Sequence, residues 1–430
     1  MLYKYIVKLY GEIMKIYISS AIRYVKKINN YMYIYLDGSS YRAADPIQLL
    51  FDLFLDGVSD FNLMLQLLKS KYQIEGSLDD IRSIVLNNDQ FLDVFTFEEN
   101  NNIVKVYGDY KNRFPIELHV EITNACNLNC SHCYKKANEG NIVFLNFNAL
   151  KKHLLDVCAE QVRILHLTGG EPSLHPEFKD IVDYASRFYQ VQLTTNGANL
   201  WNIPISTIKR ITNIDISMYG TNQESYKENT GDLYAYNFFE KSCTLLKENN
   251  IEFRINMIVN RKNAEKIDQY VQKAIKLGAR SFSLGLPTKT GRLIDKPNME
   301  WNIDSNLIKN VYRYMRMANK KYKDEINIVE WGRDVYTHRS NIMENDYALP
   351  CKGGTLSWWM NEKMEFRPCA MIPAEYILLS YEKWRDYCEI RFNLNWRKSY
   401  MNFKNYCSET KINPEDICYV FKEDTHESLM

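Results

Sequence analysis

The chain contains the stretch Glu121-Ile-Thr-Asn-Ala-Cys126-Asn-Leu-Asn-Cys130-Ser-His-Cys133, which places three thiols in the spacing C-x3-C-x2-C. The residues before it alternate between apolar and polar, so we expect the thiols in a loop directly after a strand. A cubane 4Fe–4S cluster takes four thiolates, so three local cysteines leave one iron able to chelate a substrate or cofactor. The alternative is a zinc knuckle, but His132 adjoins Cys133 and is poorly placed to share its metal.

Length and composition limit the class of protein. The chain has 430 residues, 46% of them apolar, and a formal net charge of +1. That length allows two or three domains, and the near-zero charge argues against nucleic acid or an anionic membrane as a partner. We find neither a signal peptide nor a stretch of about 18 apolar residues, so we expect a soluble, cytoplasmic protein. Ten cysteines in such a chain predict reduced thiols, either metal ligands or core residues.

The N-terminal region, residues 1–105, is predicted to be a small winged-helix-like domain. It combines an alternating strand pattern with three amphipathic helical patterns and ends in a polar linker. The strand and the three helices are expected at Tyr31–Leu36, Asp45–Gly57, Phe61–Tyr72 and Leu78–Leu86.

The central region, residues 110–345, alternates strand and helix patterns, which is typical of a parallel α/β sheet. Six strands are predicted at Glu117–Ile122, Arg163–Leu167, Val191–Thr195, Asn213–Ser217, Glu252–Val259 and Ser281–Leu286. Helices are predicted at Asn148–Glu160, Phe178–Phe188, Phe238–Asn249 and Ala264–Leu277, the last ending at Gly278. Six such units form a partial (β/α)6 barrel, with functional loops at the carboxyl ends of its strands.

The three-cysteine loop, with His132 at the usual aromatic position, resembles the radical S-adenosylmethionine (SAM) superfamily. After the second strand, Gly169-Gly170-Glu171 resembles the family motif that binds the methionyl amino group of SAM. The chemistry of these residues suits that role, because glycines permit close approach of the backbone to a ligand and a carboxylate pairs with an ammonium group. After the sixth strand, Thr290-Gly291-Arg292 also resembles the family, so the resemblance extends from about Glu117 to Arg292. It implies a SAM-binding 4Fe–4S cluster.

Further SAM contacts are implied by the same resemblance. Asn196 ends the third strand, as in the family, and Ser217 ends the fourth, where the serine binds the SAM ribose or carboxylate. Tyr219 stands where the family commonly has an acid, so that contact is expected to differ. Arg254 on the fifth strand is a candidate SAM contact, and a solvated or core-edge role is the alternative.

Two stretches of the C-terminal region, Cys351-Lys-Gly-Gly and Phe366-Arg-Pro-Cys369, flank the turn Asn361-Glu-Lys. They match the opening hairpin of the auxiliary-cluster extension called SPASM or, in its shorter form, Twitch, which residues 346–430 therefore resemble. Met364 departs from that pattern, which usually has glycine there. The region has too few cysteines for two clusters, so we expect one auxiliary 4Fe–4S cluster, with Cys388 as the reserve ligand. The ligands implied are Cys351, Cys369, Cys407 and Cys418. Cys158 and Cys243, on barrel helices, are expected to be buried small hydrophobic residues.

The N-terminal domain resembles the precursor-peptide recognition element of peptide-modifying enzymes, in which a leader peptide adds a strand to the sheet edge. The order of the three domains is similar to that of maturases of ribosomally made peptides, especially sactipeptide-type thioether synthases. The resemblance implies that SAM cleavage yields a 5′-deoxyadenosyl radical that takes hydrogen from the peptide, which then closes a crosslink. A thioether is expected first and a carbon–carbon bond is possible; the electron comes from an external flavodoxin- or ferredoxin-type donor.

Three alternatives remain at this point. Another auxiliary-cluster radical SAM enzyme, such as a sulfatase-type maturase or a small-molecule cofactor synthase, would share every barrel residue. A non-catalytic iron–sulfur electron-transfer protein would not need Gly169-Gly170-Glu171. A zinc-bound winged-helix regulator would bind DNA, against which the lack of a basic face over residues 14–98 argues.

Overall fold

A computed structural model describes residues 15–36, 39–287, 290–295, 299–301, 305–329, 353–370, 372 and 378–391. The described residues form two compact units, and the boundary between them lies after Arg113. Within these ranges there is no helix that is both long and apolar enough to cross a membrane.

The described part of the first unit contains a four-stranded sheet and four helices. Its strands are β1 (Tyr17–Ile18), β2 (Ile22–Ile28), β3 (Tyr31–Leu36), β4 (Ser39–Arg42), β5 (Phe95–Thr96) and β6 (Lys105–Tyr107). The sheet has the order β4-β3-β2-β6, so β4 is an outer strand, and β1 pairs separately with β5. The helices are α1 (Ile47–Leu55), α2 (Phe61–Tyr72), α3 (Leu78–Leu86) and α4 (Phe91–Val94).

Local sequence signals explain where these helices begin. The Asp60 carboxylate accepts the Leu63 N–H at 2.7 Å and caps α2. Ser77 and Asp80 form a reciprocal capping box at the start of α3, a pattern that satisfies otherwise unpaired N–H groups. The bounds predicted for the strand β3 and for α2 and α3 are therefore confirmed, and α1 begins directly after the predicted Asp-Pro opening.

The second unit is built on a nine-stranded sheet. Its strands are β7 (Glu117–Glu121), β8 (Ile164–Thr168), β9 (Gln190–Thr195), β10 (Asn213–Ser217), β11 (Arg254–Ile258), β12 (Ser281–Gly285), β13 (Asn327–Val329), β14 (Ser357–Met360) and β15 (Phe366–Arg367). The order is β13-β12-β11-β10-β9-β8-β7-β14-β15. The run from β7 to β13 is parallel throughout. The partial α/β barrel and its six predicted strands are confirmed.

Helices follow most strands of this unit. They are α5 (Phe147–Leu150), α6 (Asp156–Cys158), α7 (Phe178–Ala185), α8 (Ile205–Ile208), α9 (Gln223–Thr230), α10 (Ala235–Glu248), α11 (Ile267–Leu277), α12 (Arg292–Asp295), α13 (Ser305–Tyr322) and α14 (Tyr381–Cys388). A π-helical segment, Lys151–Leu155, joins α5 to α6 within the helix predicted there. As predicted, α11 ends at Gly278 with φ +85°.

The sequence did not reveal that the C-terminal region extends the barrel sheet. β14 pairs in parallel with β7, and β15 pairs antiparallel with β14. The turn between β14 and β15 contains Met364 at φ +60°, a left-handed conformation that favours glycine. This conformation gives the physical reason for the glycine of the Twitch pattern. A separate domain over residues 346–430, and the boundaries of the other two domains, stay predictions.

Candidate functional site

The three cysteines lie in the loop after β7, as predicted; residues 124–138 are called the cluster loop below. Cys130 is buried, and Cys126 and Cys133 are half-buried. The Leu128 N–H donates to the Cys126 sulfur and the Ala137 N–H to the Cys133 sulfur, each at 3.4 Å. Such N–H···S bonds favour the thiolate form and are typical around iron–sulfur clusters.

The electrostatics of the three thiols show that they are neighbours. Burial, together with the nearby Glu171 and Cys133, raises the pKa of Cys126 to about 12. Burial also raises the pKa of Cys130, with additional contributions from Cys126 and Cys133. Since thiolates are the form that binds metal, metal binding must release these protons. Three convergent soft sulfur donors fit three irons of a cubane cluster.

Arg292, which sequence reasoning noted only as part of a family resemblance, anchors the cluster loop. Its guanidinium donates to the Cys130 carbonyl at 2.9 Å and to the Ala137 carbonyl, and its backbone N–H donates to the Cys133 carbonyl at 3.0 Å. Gly291 makes this approach possible, because a Cβ there would collide with the carbonyl oxygens of Cys133 and its neighbour. The segment after β12 that contains Gly291 and Arg292 therefore holds the cluster loop by binding the loop's backbone carbonyls.

The two glycines after β8 pack closely against the backbone at the start of the same loop. A Cβ on Gly169 would collide with the Thr123 carbonyl, and a Cβ on Gly170 with the Ala125 carbonyl. The Gly170 N–H donates to Thr123 O at 2.7 Å, and the Glu171 N–H donates to Ala125 O at 2.7 Å. The structure thus shows why glycine is needed at both positions: a larger residue would collide with the backbone at the start of the cluster loop. The sequence did not suggest this contact.

The Glu171 carboxylate is fully buried and accepts four hydrogen bonds. Oε1 accepts from the Ser173 N–H, the Ser173 hydroxyl and the Thr195 hydroxyl, and Oε2 accepts from the Asn196 N–H at 2.7 Å. Burial raises the pKa of Glu171, and these bonds oppose that effect. The carboxylate ties the end of β8 to the end of β9, and its contact with the SAM ammonium group stays a prediction.

Of the other predicted SAM contacts, Asn196 and Ser217 lie at the carboxyl ends of β9 and β10, whereas Arg254 is the first residue of β11. The Asn196 amide donates to the Asn127 side chain at 2.8 Å and to the Cys126 sulfur at 3.7 Å, so it lies against the cluster loop. The Arg254 guanidinium donates to both carboxylate oxygens of Asp215, at 2.6 and 2.5 Å. That pair occupies one edge of the guanidinium, so a SAM contact by Arg254 must use another N–H.

Tyr219 fills the position where the resemblance led us to expect an acid. Burial raises the pKa of Tyr219 well above its ordinary value, and the neighbouring Cys130 and Cys126 thiols raise it as well. His132 lies 5.7 Å from the Tyr219 ring and 4.3 Å from the Trp301 ring, measured between ring centroids. A tyrosine that neighbours the thiols and His132 therefore stands in place of the expected acid, two residues after the predicted Ser217.

A buried ion network that the sequence did not indicate joins the cluster loop to the C-terminal hairpin. The Glu121 carboxylate, 1% exposed, accepts from Lys135 Nζ at 2.5 Å, from the Tyr134 hydroxyl at 3.0 Å and from Arg367 at 3.1 Å. Lys135 also pairs with Glu362 at 2.6 Å. Lys135 lies two residues after Cys133, and Arg367 lies two residues before Cys369, so one carboxylate contacts both cysteine-bearing segments.

Of the predicted auxiliary ligands, Cys369 follows β15 and is half-buried. Cys351, Cys407 and Cys418 lie outside the described residues. The reserve ligand Cys388 is fully buried at the end of α14, in the hydrophobic core. Cys158 and Cys243 are also fully buried in that core, as predicted for small hydrophobic residues.

Glu117, His119 and His166 bring an acid and two imidazoles together inside the barrel, with their ligand atoms within 4.8 Å of one another. The imidazoles stack at 4.8 Å with an interplanar angle of 25°, and His119 stacks on Trp359 at 4.3 Å and 1°. An imidazole binds a metal in its own ring plane, so rings stacked face to face do not converge on one ion. Burial lowers the pKa of His166 to about 3, which keeps this imidazole neutral.

Comparison with known proteins agrees with this geometry. Residues 120–286 match the family model of the radical SAM superfamily. The antilisterial bacteriocin subtilosin biosynthesis protein AlbA of Bacillus subtilis (strain 168) is 25% identical over 76% of this chain and 73% of its own length. The sporulation killing factor maturation protein SkfB of the same strain is 26% identical over 64% of this chain and 65% of its own length.

Solved structures share the fold. Streptococcus suis SuiB bound to its precursor peptide SuiA superposes with a TM-score of 0.59 at 14% identity, over 88% of this chain and 91% of that one. The enzyme anSMEcpe with bound SAM gives a TM-score of 0.52 at 16% identity, over 72% of this chain and 92% of that one. Residues 120–286 form a radical SAM domain, and the chain is a radical SAM enzyme that uses SAM and a 4Fe–4S cluster.

Proposed function

We propose that this enzyme matures a ribosomally made peptide by installing a crosslink, a thioether in the first instance, with a carbon–carbon bond as the alternative product. The observation that carries the proposal is the joining of the radical SAM domain to a helix–sheet unit in one chain. Supporting it, the sequence aligns over 76% of its length with a bacteriocin biosynthesis protein.

The first unit offers a place for a leader peptide. β4 (Ser39–Arg42) pairs with β3 on one side and is an outer strand of its sheet. A leader that added a strand there would gain main-chain hydrogen bonds, while side-chain pockets would supply specificity. The Arg42 guanidinium lies over the Tyr31 ring at 4.8 Å, so a cationic and aromatic surface flanks this edge.

In the second unit, the three cysteines of the cluster loop hold the SAM cluster. When bound, the reduced cluster supplies the electron that cleaves SAM to methionine and a 5′-deoxyadenosyl radical. Arg292, Asn196 and the two glycines after β8 fix the loop that carries the thiols. Gly169, Gly170, Glu171, Asn196 and Ser217 are proposed to bind SAM at the carboxyl ends of the strands. Arg254, the first residue of β11, is proposed as a further SAM contact through guanidinium N–H groups that do not bind Asp215.

An auxiliary 4Fe–4S cluster is proposed to accept the surplus electron of the substrate radical. Cys369 would hold it together with Cys351, Cys407 and Cys418, and Cys388 would be the reserve. The burial of Cys388 in the core of α14 supports the choice of the other four.

The test is mass spectrometry of a short peptide encoded beside this chain, after anaerobic incubation with the enzyme, SAM and dithionite. Each crosslink should remove two hydrogen atoms from the peptide, and a cysteine-alkylating reagent should show whether a thiol was consumed. The matched control replaces the three cluster-loop cysteines by alanine. A peptide of unchanged mass, in the presence of 5′-deoxyadenosine formation, would count against the maturase.

The second candidate is a different auxiliary-cluster enzyme, such as a sulfatase-type maturase or a small-molecule cofactor synthase. The match to anSMEcpe supports it at the level of fold. That match covers 72% of this chain, against 88% for SuiB. A variant lacking residues 1–105 distinguishes the candidates: it should still cleave SAM but fail to modify the precursor if the first unit reads a leader.

A further inference from the structure

Helix α13 carries a row of cations that have no anionic partner among the residues that the structure describes. Its 18 residues, Ser305–Tyr322, include five lysines and arginines and no aspartate or glutamate. Four of the cations recur at intervals of four, three and four residues, which places them along one exposed face. They are Lys309, Arg313, Arg316 and Lys320.

None of these four forms an ion pair with any residue in the described ranges, whereas other cations on the second unit do. The fifth cation of the helix, Lys321, pairs with Asp268 at 2.9 Å. Elsewhere, surface pairs join Lys179 to Asp183 and Arg385 to Glu389. Like charges three and four residues apart destabilise a helix, so the row opposes folding and points to a role in binding.

The same face offers apolar contact area. Met317, 62% exposed, lies between the cations, and with Tyr312 it lines a depression of about 340 Å³ along the row. The opposite face of the helix is buried through Val311, Met315 and Ala318. A charged rim around an exposed apolar anchor is the usual composition of a protein-binding surface.

The row begins close to the cluster loop. The ring of Trp301 lies 4.3 Å from His132, which stands between Cys130 and Cys133. α13 begins at Ser305, four positions after Trp301, and four steps of the chain span at most about 14 Å. Lys309 is one turn further, about 6 Å along the helix axis. A protein docked on this face would therefore reach the neighbourhood of the cluster.

We infer that the α13 cation row is the docking surface for an acidic one-electron donor protein of the flavodoxin type, which reduces the SAM cluster. The inference rests on the proposed electron supply for SAM cleavage, which consumes one electron per molecule cleaved. Complementary charge raises the association rate of such partners and makes it depend on ionic strength. The row supplies the positive side of that interaction.

The test measures 5′-deoxyadenosine formation without any precursor peptide, with either a purified acidic flavodoxin and its reductase or dithionite as reductant. Arg313→Glu with Arg316→Glu should raise the flavodoxin concentration for half-maximal rate at least tenfold and leave the dithionite-driven rate unchanged. Raising the salt concentration should remove most of this difference. The matched control reverses two exposed cations elsewhere, Lys209→Glu with Lys276→Glu, and should leave both rates unchanged.

A double variant that keeps the wild-type response to flavodoxin would overturn the inference. If the glutamate variant loses dithionite-driven activity, the milder variant Arg313→Gln with Arg316→Gln is tested in its place. It should raise the flavodoxin concentration for half-maximal rate severalfold and leave the dithionite-driven rate unchanged. Loss of affinity for the precursor peptide in place of flavodoxin would also overturn it, because the row would then bind an acidic peptide. Because no peptide is present in the main assay, failure of the proposed maturase function leaves this result readable.

Discussion

Glu121→Gln should destabilise the second unit by about 3 kcal/mol, the lower end of the range for breaking a buried ion pair. The substitution leaves Arg367, 15% exposed, without its carboxylate, whereas Lys135 keeps Glu362 as a partner. The loss therefore falls mainly on one cation. Urea unfolding followed by tryptophan fluorescence reports on this unit alone, because all seven tryptophans of the chain lie after residue 200.

Two matched variants separate this explanation from a general loss of packing. Glu362→Gln should cost about 1 kcal/mol, since Lys135 then retains Glu121. Glu121→Gln combined with Arg367→Met removes both charges and should recover most of the stability lost in the single variant. A cost below 1 kcal/mol for Glu121→Gln, or a double variant no more stable than the single one, would refute the reasoning.

The pH dependence gives an independent check. Burial acts to raise the pKa of Glu121, but the charges of Lys135 and Arg367 and the hydrogen bonds from Lys135 and Tyr134 outweigh it and hold the pKa below its ordinary value. A carboxyl with a lowered pKa stabilises the fold above its unfolded pKa of about 4.3 and loses this effect as pH falls through the folded value. The difference between wild type and Glu121→Gln should be full at pH 7 and shrink below about pH 4.

Three further predictions concern the cluster loop. Gly170→Ala should reduce iron retention and SAM binding, because its Cβ would collide with the Ala125 carbonyl; normal SAM affinity by equilibrium dialysis would contradict this contact. Arg292→Met removes the guanidinium hydrogen bonds to the Cys130 and Ala137 carbonyls and to the Glu139 carboxylate; it should cost about 2 kcal/mol and lower the iron content, whereas Arg292→Lys should recover part of the loss. Reconstituted protein should hold about eight iron atoms and the variant lacking the three loop cysteines about four, and four in the unaltered chain would exclude the auxiliary cluster.

Features encoded in short stretches of sequence were predictable. The capping signals of α2 and α3, the six parallel strands and the cysteine spacing all depend on residues within one element or one loop. Hydrophobic periodicity and turn chemistry report such local structure directly. The helix bounds of Phe61–Tyr72 and Leu78–Leu86 were predicted without error for this reason.

Contacts between distant parts of the chain were not predictable. Arg367 is 246 residues from Glu121, and Arg292 is 162 residues from Cys130, and no local pattern connects either pair. The hairpin of β14 and β15 was indicated by the family resemblance and not by periodicity, because the burial of β14 does not alternate and so lacks the period-two signal of a half-buried strand. The place of β14 beside β7 depends on a partner more than 200 residues away.

The backbone carbonyls and the thiols of the cluster loop have different roles: the carbonyls fix the loop, and the thiols bind the metal. The Cys130 and Cys133 carbonyls accept from Arg292, and the Cys126 carbonyl accepts from the Asn138 side chain at 2.6 Å. These three carbonyls thus have hydrogen-bond donors within the protein. The Cys126 and Cys133 thiols receive weak N–H···S bonds and stay available as metal ligands. Because the loop is already ordered by these contacts, metal affinity is not reduced by the cost of ordering it. The same reasoning assigns Gly169, Gly170 and Arg292, which lie outside the loop, to its positioning, and leaves metal binding to the cysteines within it.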